Sequence, residues 1–223
     1  MSTVLITGTS RGIGLELARQ YAADGWRVHA CARNLAKATA LKALRGDVKL
    51  HELDVADEAQ IAALAQALGG ETIDLLVNNA GVGGADETTD PEPWLEVFRV
   101  NSIAPVRVLQ ALLPNLQRSK DPRVLNLTSR MGSIADNSSG GSYAYRSSKA
   151  ALNAAMKSLA IDLKSKGITI AVMHPGWVKT DMGGPGAPVT PKASAEGLRR
   201  VIAALKPSES GAFLNYDGAK LPW

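Results

Sequence analysis

The sequence predicts an α/β fold, a single domain built on a doubly wound parallel β-sheet with helices on both faces. Short apolar runs rich in β-branched residues recur along the chain and alternate with stretches of helical character. These runs are continuously apolar, which is typical of parallel strands buried on both faces, because each parallel crossover needs a covering helix. The 223 residues are enough for one well-buried core, so residues 1–223 are expected to form one domain.

Seven apolar runs predict the strands of this sheet. They cover residues 3–7, 27–32, 48–53, 73–78, 123–128, 168–173 and 212–216. Helix signals lie between them: Asp57 is placed to cap a helix over 58–68, which Gly69 and Gly70 end. Strands and helices therefore alternate in the way that a parallel sheet requires.

Prolines mark two later helices. Thr190 and Pro191 are the capping residue and the first-turn proline expected at a helix start. Pro105 and Pro114 lie inside the helical stretch 94–119, where a proline removes a backbone donor and clashes with the preceding turn. We therefore expect that helix to be bent or split.

Composition excludes several classes of protein. The net charge is +4, but the basic residues are scattered among 21 acidic ones, so no nucleic-acid partner is expected. No stretch approaches the roughly 20 apolar residues of a membrane span. The single cysteine, Cys31, cannot form an internal disulfide, and a strand pattern begins at once, which together indicate a cytoplasmic protein. Three scattered histidines and one cysteine predict no metal site.

The first strand is followed by a glycine-rich turn, TGTSRGIG at residues 7–14. Gly8, Gly12 and Gly14 allow a tight turn and a close approach of the backbone to a ligand. The next helix then presents its free N–H groups and the positive end of its dipole, which suit phosphate. At the first strand-to-helix turn, this pattern predicts the pyrophosphate site of a Rossmann fold.

Two arginines bear on the choice of dinucleotide. Sites that prefer NAD typically carry an acidic residue after the second strand, whereas an arginine there accommodates the 2′-phosphate of NADP. Arg33 occupies that region, and no acidic residue does. Arg11, in the glycine loop, could reach the same phosphate with its guanidinium, although it could equally be a solvated surface cation. The cofactor is predicted to be NADP(H), with NAD less favoured.

A tyrosine and a lysine are spaced to share one face of a helix in the stretch SYAYRSSKAAL. Residues four apart on a helix are neighbours, which pairs Tyr145 with Lys149 and excludes Tyr143. A nearby ammonium favours the phenolate, so Lys149 is expected to lower the pKa of Tyr145 and make it a usable acid or base. Ser129, at the end of the fifth strand, is a second donor for a carbonyl oxygen.

With these motifs the chain resembles the short-chain dehydrogenase/reductase family. The motifs that carry the resemblance are T-G-x-x-x-G-x-G at 7–14, N-N-A-G at 78–81, Asn101, Ser129, Y-x-x-x-K at 145–149, and P-G followed by threonine at Pro175, Gly176 and Thr180. They occur in the order of the family and span nearly the whole chain. Within the family the chain most resembles the sniffer and C-factor-like group, which includes carbonyl reductases.

The resemblance implies a role for each catalytic residue. Tyr145 would protonate the carbonyl oxygen, Ser129 would hold that oxygen, and Lys149 would bind the nicotinamide ribose. Asn101 would position a water that links Lys149 to solvent. Ser129 precedes Tyr145 by more residues than is usual, so Ser133 is an alternative, but Ser129 follows the strand directly and is preferred.

The resemblance also implies the remaining contacts, with Asp54 at the adenine and Thr180 at the carboxamide. The residues implied to bind cofactor are Gly8, Ser10, Arg11, Gly12, Ile13, Gly14, Arg33, Asp54, Val55, Asn79, Ala80, Gly81, Tyr145, Lys149, Pro175, Gly176, Val178 and Thr180. Glycine-, serine- and proline-rich loops at 131–142 and 176–191 follow strand ends, where ligands bind in such sheets, so Met131, Trp177 and Met182 are expected to contact substrate, or else only to pack.

Three amide and imidazole side chains have a structural alternative. Asn78 and Asn79 could serve only to tie the fourth strand to its neighbours, since buried amides usually satisfy hydrogen bonds. His174, at the end of the sixth strand, is expected to be a packed histidine rather than a catalyst.

The predicted function is NADPH-dependent reduction of an aldehyde or ketone, with residues 1–100 binding cofactor and 101–223 supplying catalysis and substrate contacts. Two alternatives stay open: a signalling protein of the C-factor type that binds the dinucleotide, and an NAD-dependent alcohol or hydroxysteroid dehydrogenase. The resemblance further implies a homo-oligomer, a dimer or tetramer, with helices in 94–119 and 143–166 at the interface.

Overall fold

A computed structural model describes residues 1–83 and 90–223, and these form one parallel sheet in the strand order β3-β2-β1-β4-β5-β6-β7. The strands are β1 Thr3–Thr7, β2 Arg27–Ala32, β3 Val48–Glu52, β4 Leu75–Asn78, β5 Arg123–Leu127, β6 Thr169–His174 and β7 Ala212–Asn215. Each predicted run matches one of them to within two residues at either end, so the predicted doubly wound α/β fold is confirmed.

The order of the strands reverses between β1 and β4. In register, Val4 pairs with Val28 of β2 on one side and with Leu75 of β4 on the other. All five residues of β1 are buried, which is why its sequence, TVLIT, reads as a continuous apolar run. Ligands of such sheets bind beyond the carboxyl ends of the strands at this reversal, and the glycine turn follows β1 directly.

Helices cover both faces of the sheet. They are α1 Gly12–Ala23, α2 Thr39–Lys42, α3 Glu58–Leu68, α4 Pro91–Phe98, α5 Ala104–Ala111, α6 Leu113–Leu116, α7 Tyr143–Asp162 and α8 Pro191–Ala204. One apolar core lies between the sheet and α3, α5 and α7, and a second lies between the sheet and α1, α2 and α8. None of the helices in the part of the chain described here is long and apolar enough to cross a membrane.

The helix caps form as predicted. The carboxylate of Asp57 accepts from the backbone N–H groups of Ala59 and Gln60, and the hydroxyl of Thr190 accepts from that of Ala193. Both interactions satisfy donors that a helix start otherwise leaves free. The start of α3 and the start of α8 could therefore be read from the sequence to the residue.

The helical stretch around Pro105 is split, as expected, but the form of the break is new. A π-helical turn at Arg99–Ile103 joins α4 to α5, and the N–H of Ala104 bonds to the carbonyl of Arg99, five residues earlier. Pro105 has no N–H to give to the carbonyl of Asn101, so the regular ladder cannot continue through this turn. Asn101 thereby lies in an irregular turn, and its own side chain is fully buried.

After β7 the chain reverses, and residues 219–223 run back along it; we call them the return segment. The N–H of Asn215 bonds to the carbonyl of Ala219, and the N–H of Leu221 bonds to the carbonyl of Phe213 at 2.9 Å. The ring of Trp223 lies against the ring of Phe213, with 5.4 Å between centroids. The return segment thus covers part of an edge strand that has β6 as its neighbour on the other side.

Candidate functional site

The glycine turn after β1 has no room for side chains. Gly8 has φ +71°, and a β-carbon there would lie 2.8 Å from the Cα of Ala80. A β-carbon on Gly14 would lie 2.4 Å from both the carbonyl oxygen of Gly8 and the Nδ2 of Asn79. Gly12 also has a positive φ, +60°. The glycines therefore let the turn pack tightly against Asn79 and Ala80 at the start of α1, where a phosphate would bind.

The turn is held from the neighbouring strand. The amide of Asn79 donates to the carbonyls of Thr7 and Gly8 at 2.8 and 2.9 Å, while the hydroxyl of Thr7 accepts from the N–H groups of Asn79 and Ala80. Asn78 donates to the side chain of Asn126 on β5. These bonds agree with the alternative that Asn78 and Asn79 tie the fourth strand to its neighbours. Asn79 also lines the groove.

A groove of about 730 Å³ runs from the glycine turn across the carboxyl edge of the sheet to Tyr145 and Lys149. Sixteen of the predicted cofactor residues line it, namely Gly8, Ser10, Arg11, Gly12, Ile13, Gly14, Arg33, Asp54, Val55, Asn79, Ala80, Gly81, Tyr145, Lys149, Pro175 and Thr180. Gly176 and Val178 lie behind its wall, where Gly176 packs on the ring of Tyr216 and Val178 is buried and bridges to Val189.

The two predicted phosphate-binding arginines are both exposed, and both lie at the groove. Arg11 forms an ion pair of 2.8 Å with Asp181 of the 176–191 loop. Both side chains are more than two-thirds exposed, so the pair is worth little in water and does not hold Arg11 away from a ligand. Asp54 points its carboxylate at the N–H of Ala56 and lines the same end of the groove.

Asn101 ties the groove wall to α7. Its amide accepts from the N–H of Val82 and donates to the carbonyl of Val82, each at 2.9 Å, and donates to the hydroxyl of Ser148 at 3.2 Å. A β-carbon on Gly81 would lie 3.2 Å from the Oδ1 of Asn101 and 3.6 Å from the Nζ of Lys149. The side chain therefore fixes the chain next to Lys149, and its water-positioning role stays a prediction.

Tyr145 and Lys149 lie on the same face of α7, as their spacing predicts. The Nζ of Lys149 is 5.8 Å from the centroid of the Tyr145 ring and donates to the carbonyl of Leu127, at the end of β5, at 2.9 Å. Tyr143 points away and is half exposed. The pair thus sits beyond the carboxyl end of β5, inside the groove.

The pKa values of the pair differ from the expectation that Lys149 makes Tyr145 more acidic. Burial raises the pKa of Tyr145, and only the side chain of Ser129 acts against it. Burial also lowers the pKa of Lys149 to about 8. Desolvation penalises the charged form of each group, and it is the largest cause of both shifts. The phenol of Tyr145 accordingly keeps its proton at neutral pH.

Of the two candidate serines, Ser129 is the one beside Tyr145. Its hydroxyl interacts with the phenol and accepts from the N–H of Met131 at 3.1 Å. Ser133 is 2% exposed, donates to the backbone oxygen of Trp223 at 3.3 Å and accepts from the N–H of Asp136 at 3.0 Å. The geometry favours Ser129 over Ser133 as the serine that holds the carbonyl oxygen, because the hydroxyl of Ser133 bonds to Trp223 and Asp136 instead.

The three predicted substrate residues are spread over two loops. Met131 is half-buried in the 3₁₀ turn Arg130–Gly132, directly after Ser129. Met182 is 57% exposed and lines the groove. Trp177 is exposed, and its indole donates to the carbonyl of Gly183 at 2.7 Å, which closes the start of its loop.

Several neighbours of the site were not foreseen. Lys179 and Asp181 line the groove on either side of Thr180. Their position next to that threonine was the only feature of the sequence that could have predicted this. Arg146, next to Tyr145, donates to the carbonyl of Gly140 and to the hydroxyl of Ser139, and so ties the 131–142 loop to α7. Within residues 1–83 and 90–223, no group of three or more His, Cys, Asp or Glu side chains is arranged to hold a metal ion.

Comparison with known proteins gives consistent matches. The family model described as short chain dehydrogenase matches residues 2–188. The chain is 47% identical over 154 residues to C-signal of Myxococcus xanthus, across 68% of this chain and 93% of that one. It is similar in structure to the carbonyl reductase Sniffer of D. melanogaster, with a TM-score of 0.93, 32% identity and full coverage of both chains. A carbonyl reductase from chicken fatty liver, with NADPH bound, has a TM-score of 0.91 and 35% identity, covering 100% of this chain and 99% of that one.

Proposed function

The chain belongs to the short-chain dehydrogenase family, and from that premise we propose that it reduces the carbonyl of an aldehyde or ketone to an alcohol with NADPH. One observation carries the proposal: Tyr145 and Lys149 line a groove that also includes the glycine turn, and the side chain of Ser129 bonds to the phenol of Tyr145. A dinucleotide needs a phosphate cradle at one end and a reacting centre at the other.

The groove suits a dinucleotide on its own geometry. The glycine positions let the backbone turn tightly at the start of α1, where a helix presents its N–H groups, and the amide of Asn79 holds the turn in shape. Arg11 and Arg33 would take the 2′-phosphate that distinguishes NADPH from NADH, because guanidinium groups match phosphate oxygens. The NADPH bound in the chicken carbonyl reductase supports this choice of cofactor.

In the proposed reaction, Ser129 donates a hydrogen bond to the substrate oxygen and Tyr145 gives it a proton. The bound NADPH would supply the hydride that the carbonyl carbon accepts, so that the C=O bond becomes C–OH. Lys149, anchored by the carbonyl of Leu127, would bind the ribose and help to return a proton to Tyr145. Asn101 holds the chain beside Lys149 and would stabilise that relay.

The protonated state of Tyr145 suits its proposed role as a proton donor. A reductase needs a phenol that carries a proton, whereas an alcohol dehydrogenase needs a phenolate to remove one. Burial raises the pKa of Tyr145, which keeps the proton on it. An NAD-dependent dehydrogenase fits less well because Arg33 stands where NAD sites typically carry an acid.

We further propose that the enzyme is one domain and a homo-oligomer. Leu95 on α4, Ile103 in the π-helical turn and Ile161 on α7 are each more than half exposed. Exposed large apolar side chains on these helices agree with the expected interface, since burying them would remove apolar surface from water.

The test of the reductase is the loss of reduced-nicotinamide absorbance with NADPH or NADH and a panel of aldehydes, ketones and quinones. Tyr145→Phe should lower kcat at least about hundredfold, as expected for loss of a general acid, while NADPH still binds. Tyr143→Phe, two residues away and pointing outwards, is the matched control and should keep full activity. Equal activity of the two variants would contradict the proposal.

A second candidate is a signalling protein, favoured by the 47% identity with C-signal of M. xanthus. It would bind the dinucleotide without needing turnover. If NADPH binds to the purified protein while no carbonyl in the panel is reduced, this candidate takes precedence over the reductase.

A further inference from the structure

The loop that carries Ser129 contacts an element far away in the sequence. We call residues 129–142 the serine loop. The backbone oxygen of Trp223 accepts two hydrogen bonds from it, from the N–H of Ala135 at 2.9 Å and from the hydroxyl of Ser133 at 3.3 Å. The return segment and the serine loop are thereby joined by two bonds to one oxygen.

The return segment is itself anchored to the sheet. Its backbone pairs with β7 through Leu221, and the Trp223 ring packs on Phe213, which is 3% exposed. Trp223 is 44% exposed, so its contact with Phe213 is made by one side of the ring. The backbone oxygen of Trp223 that accepts the two bonds is therefore held in place relative to the core.

Ser133 passes this anchorage to Ser129 through a short, hydrogen-bonded turn. The N–H of Gly132 bonds to the carbonyl of Ser129, and the N–H of Ser133 bonds to the carbonyl of Arg130, both at 2.9 Å. The hydroxyl of Ser133 is buried and accepts from the N–H of Asp136 while it donates to Trp223. A shift of the oxygen of Trp223 would therefore move Ser133 and, through this turn, Ser129, which lies four residues before Ser133.

We propose that the return segment braces the serine loop, and that Ser133 and Trp223 are positioning residues that set the place of the Ser129 hydroxyl against Tyr145. The proposal rests on the proposed function, since the position of Ser129 matters only if it holds a carbonyl oxygen. Misplacing a catalytic group by about 1 Å can cost up to about hundredfold in rate. The brace thus acts on turnover through Ser129, at a distance from the cofactor groove.

The test compares Trp223→Gly, which removes the ring anchored on Phe213, with Ser133→Ala, which removes the linking hydroxyl. In each variant we expect kcat for reduction of an aldehyde that wild type accepts to fall about tenfold, while the Kd for NADPH stays within about twofold of wild type. Trp223→Phe keeps an aromatic contact with Phe213 and should restore most of the activity. Ser138→Ala, an exposed serine of the same loop, is the matched control.

The decisive measurement is made in a Ser129→Ala background. If the brace acts through Ser129, adding Trp223→Gly there should change kcat by less than about twofold, because coupled residues are not additive. A further tenfold loss in that background would overturn the proposal. So would variants that lower the melting temperature but keep wild-type kcat below it, since that describes a purely structural contact.

The outcome for wild type separates this inference from the proposed function. A wild-type enzyme that reduces no carbonyl would overturn both. A wild-type enzyme that is active, with Trp223→Gly and Ser133→Ala equally active, would overturn the brace alone.

Discussion

Gly132 lies against the backbone of Lys149, so that a β-carbon on the glycine would come 2.9 Å from both the carbonyl carbon and the Cβ of the lysine. Real β-carbons do not approach backbone atoms so closely, because the repulsion rises steeply at that distance. The 3₁₀ turn after Ser129 and the helix α7 therefore approach each other too closely for any residue but glycine at position 132. This contact brings the hydroxyl of Ser129 to the phenol of Tyr145.

Replacing Gly132 with alanine should separate the turn from α7 and weaken catalysis. We expect kcat/KM to fall roughly 10- to 100-fold, since the added methyl group must push Ser129 out of line with Tyr145. Steady-state kinetics on the folded variant would measure the loss. Gly186→Ala is the control, because a β-carbon at Gly186 meets no atom within 4 Å. A Gly132→Ala variant as active as the control would show that the close contact has no bearing on the reaction.

The activity should depend on the charge of Lys149. Burial lowers the pKa of this lysine to about 8, so its ammonium is charged below that pH and neutral above it. We expect kcat/KM for reduction to be highest below pH 8 and to fall as the pH rises through about 8. A pH profile from 6 to 10 measures this, and kcat/KM reports the groups of the free enzyme. A profile that stays level to pH 9.5 would contradict the assignment.

The half-buried histidine His174 should make the fold sensitive to acid. Burial, helped by the charge of Arg130, lowers its pKa to about 4, compared with about 6.5 in an unfolded chain. Between these values the unfolded state binds more protons, so this contribution to stability is present above pH 6.5 and is lost as the pH falls towards 4. We expect His174→Gln to lose less free energy of unfolding than wild type between pH 7 and 5.

Urea unfolding at both pH values would measure the difference between His174→Gln and wild type. The variant should keep some acid sensitivity, because burial also lowers the pKa values of His29 and His51. Identical losses in the variant and in wild type would rule out His174 as a source.

Arg33 should decide between the two dinucleotides. Replacing it with aspartate removes the cation that a 2′-phosphate needs and adds an acceptor for a ribose 2′-hydroxyl. We expect kcat/KM for NADPH to fall about 10- to 100-fold while that for NADH is unchanged or higher, as for loss of a charge-assisted hydrogen bond. Arg107→Ala is the control, because Arg107 is an exposed arginine that pairs with Glu58 on another surface. An unchanged ratio would shift the role to Arg11.

Most of the fold and much of the site could be predicted from the sequence, because the patterns that indicate them involve residues close together in the chain. Continuous apolar runs mark buried parallel strands, and Asp57 and Thr190 mark helix starts through bonds to residues two and three positions away. Tyr145 and Lys149 meet because they are four apart on a helix. Each of these features depends on residue types a few positions apart in the chain.

Other features depend on contacts that leave no local trace. The bond from Ser133 to Trp223 spans 90 residues and ends on a backbone oxygen, which every residue has. The π-helical turn at Arg99–Ile103 was foreseen only as a break, since Pro105 predicts a lost bond but not the form of the repair. The pKa of Tyr145 was expected to follow the charge of Lys149, whereas burial, a property of the whole fold, has the larger effect.

The central place of β1 in the sheet also orders events during protein synthesis. Earlier residues leave the ribosome first, so β1 can pair with β2 long before β4, its other neighbour, has been made. The glycine turn also cannot be stabilised at first, because the amide that holds it belongs to Asn79, 72 residues after Thr7. Lys149 emerges later still. A nascent chain therefore lacks the bonds that hold the glycine turn until Asn79 has left the ribosome, and until β4 has emerged, β1 has one apolar edge for which a chaperone could compete.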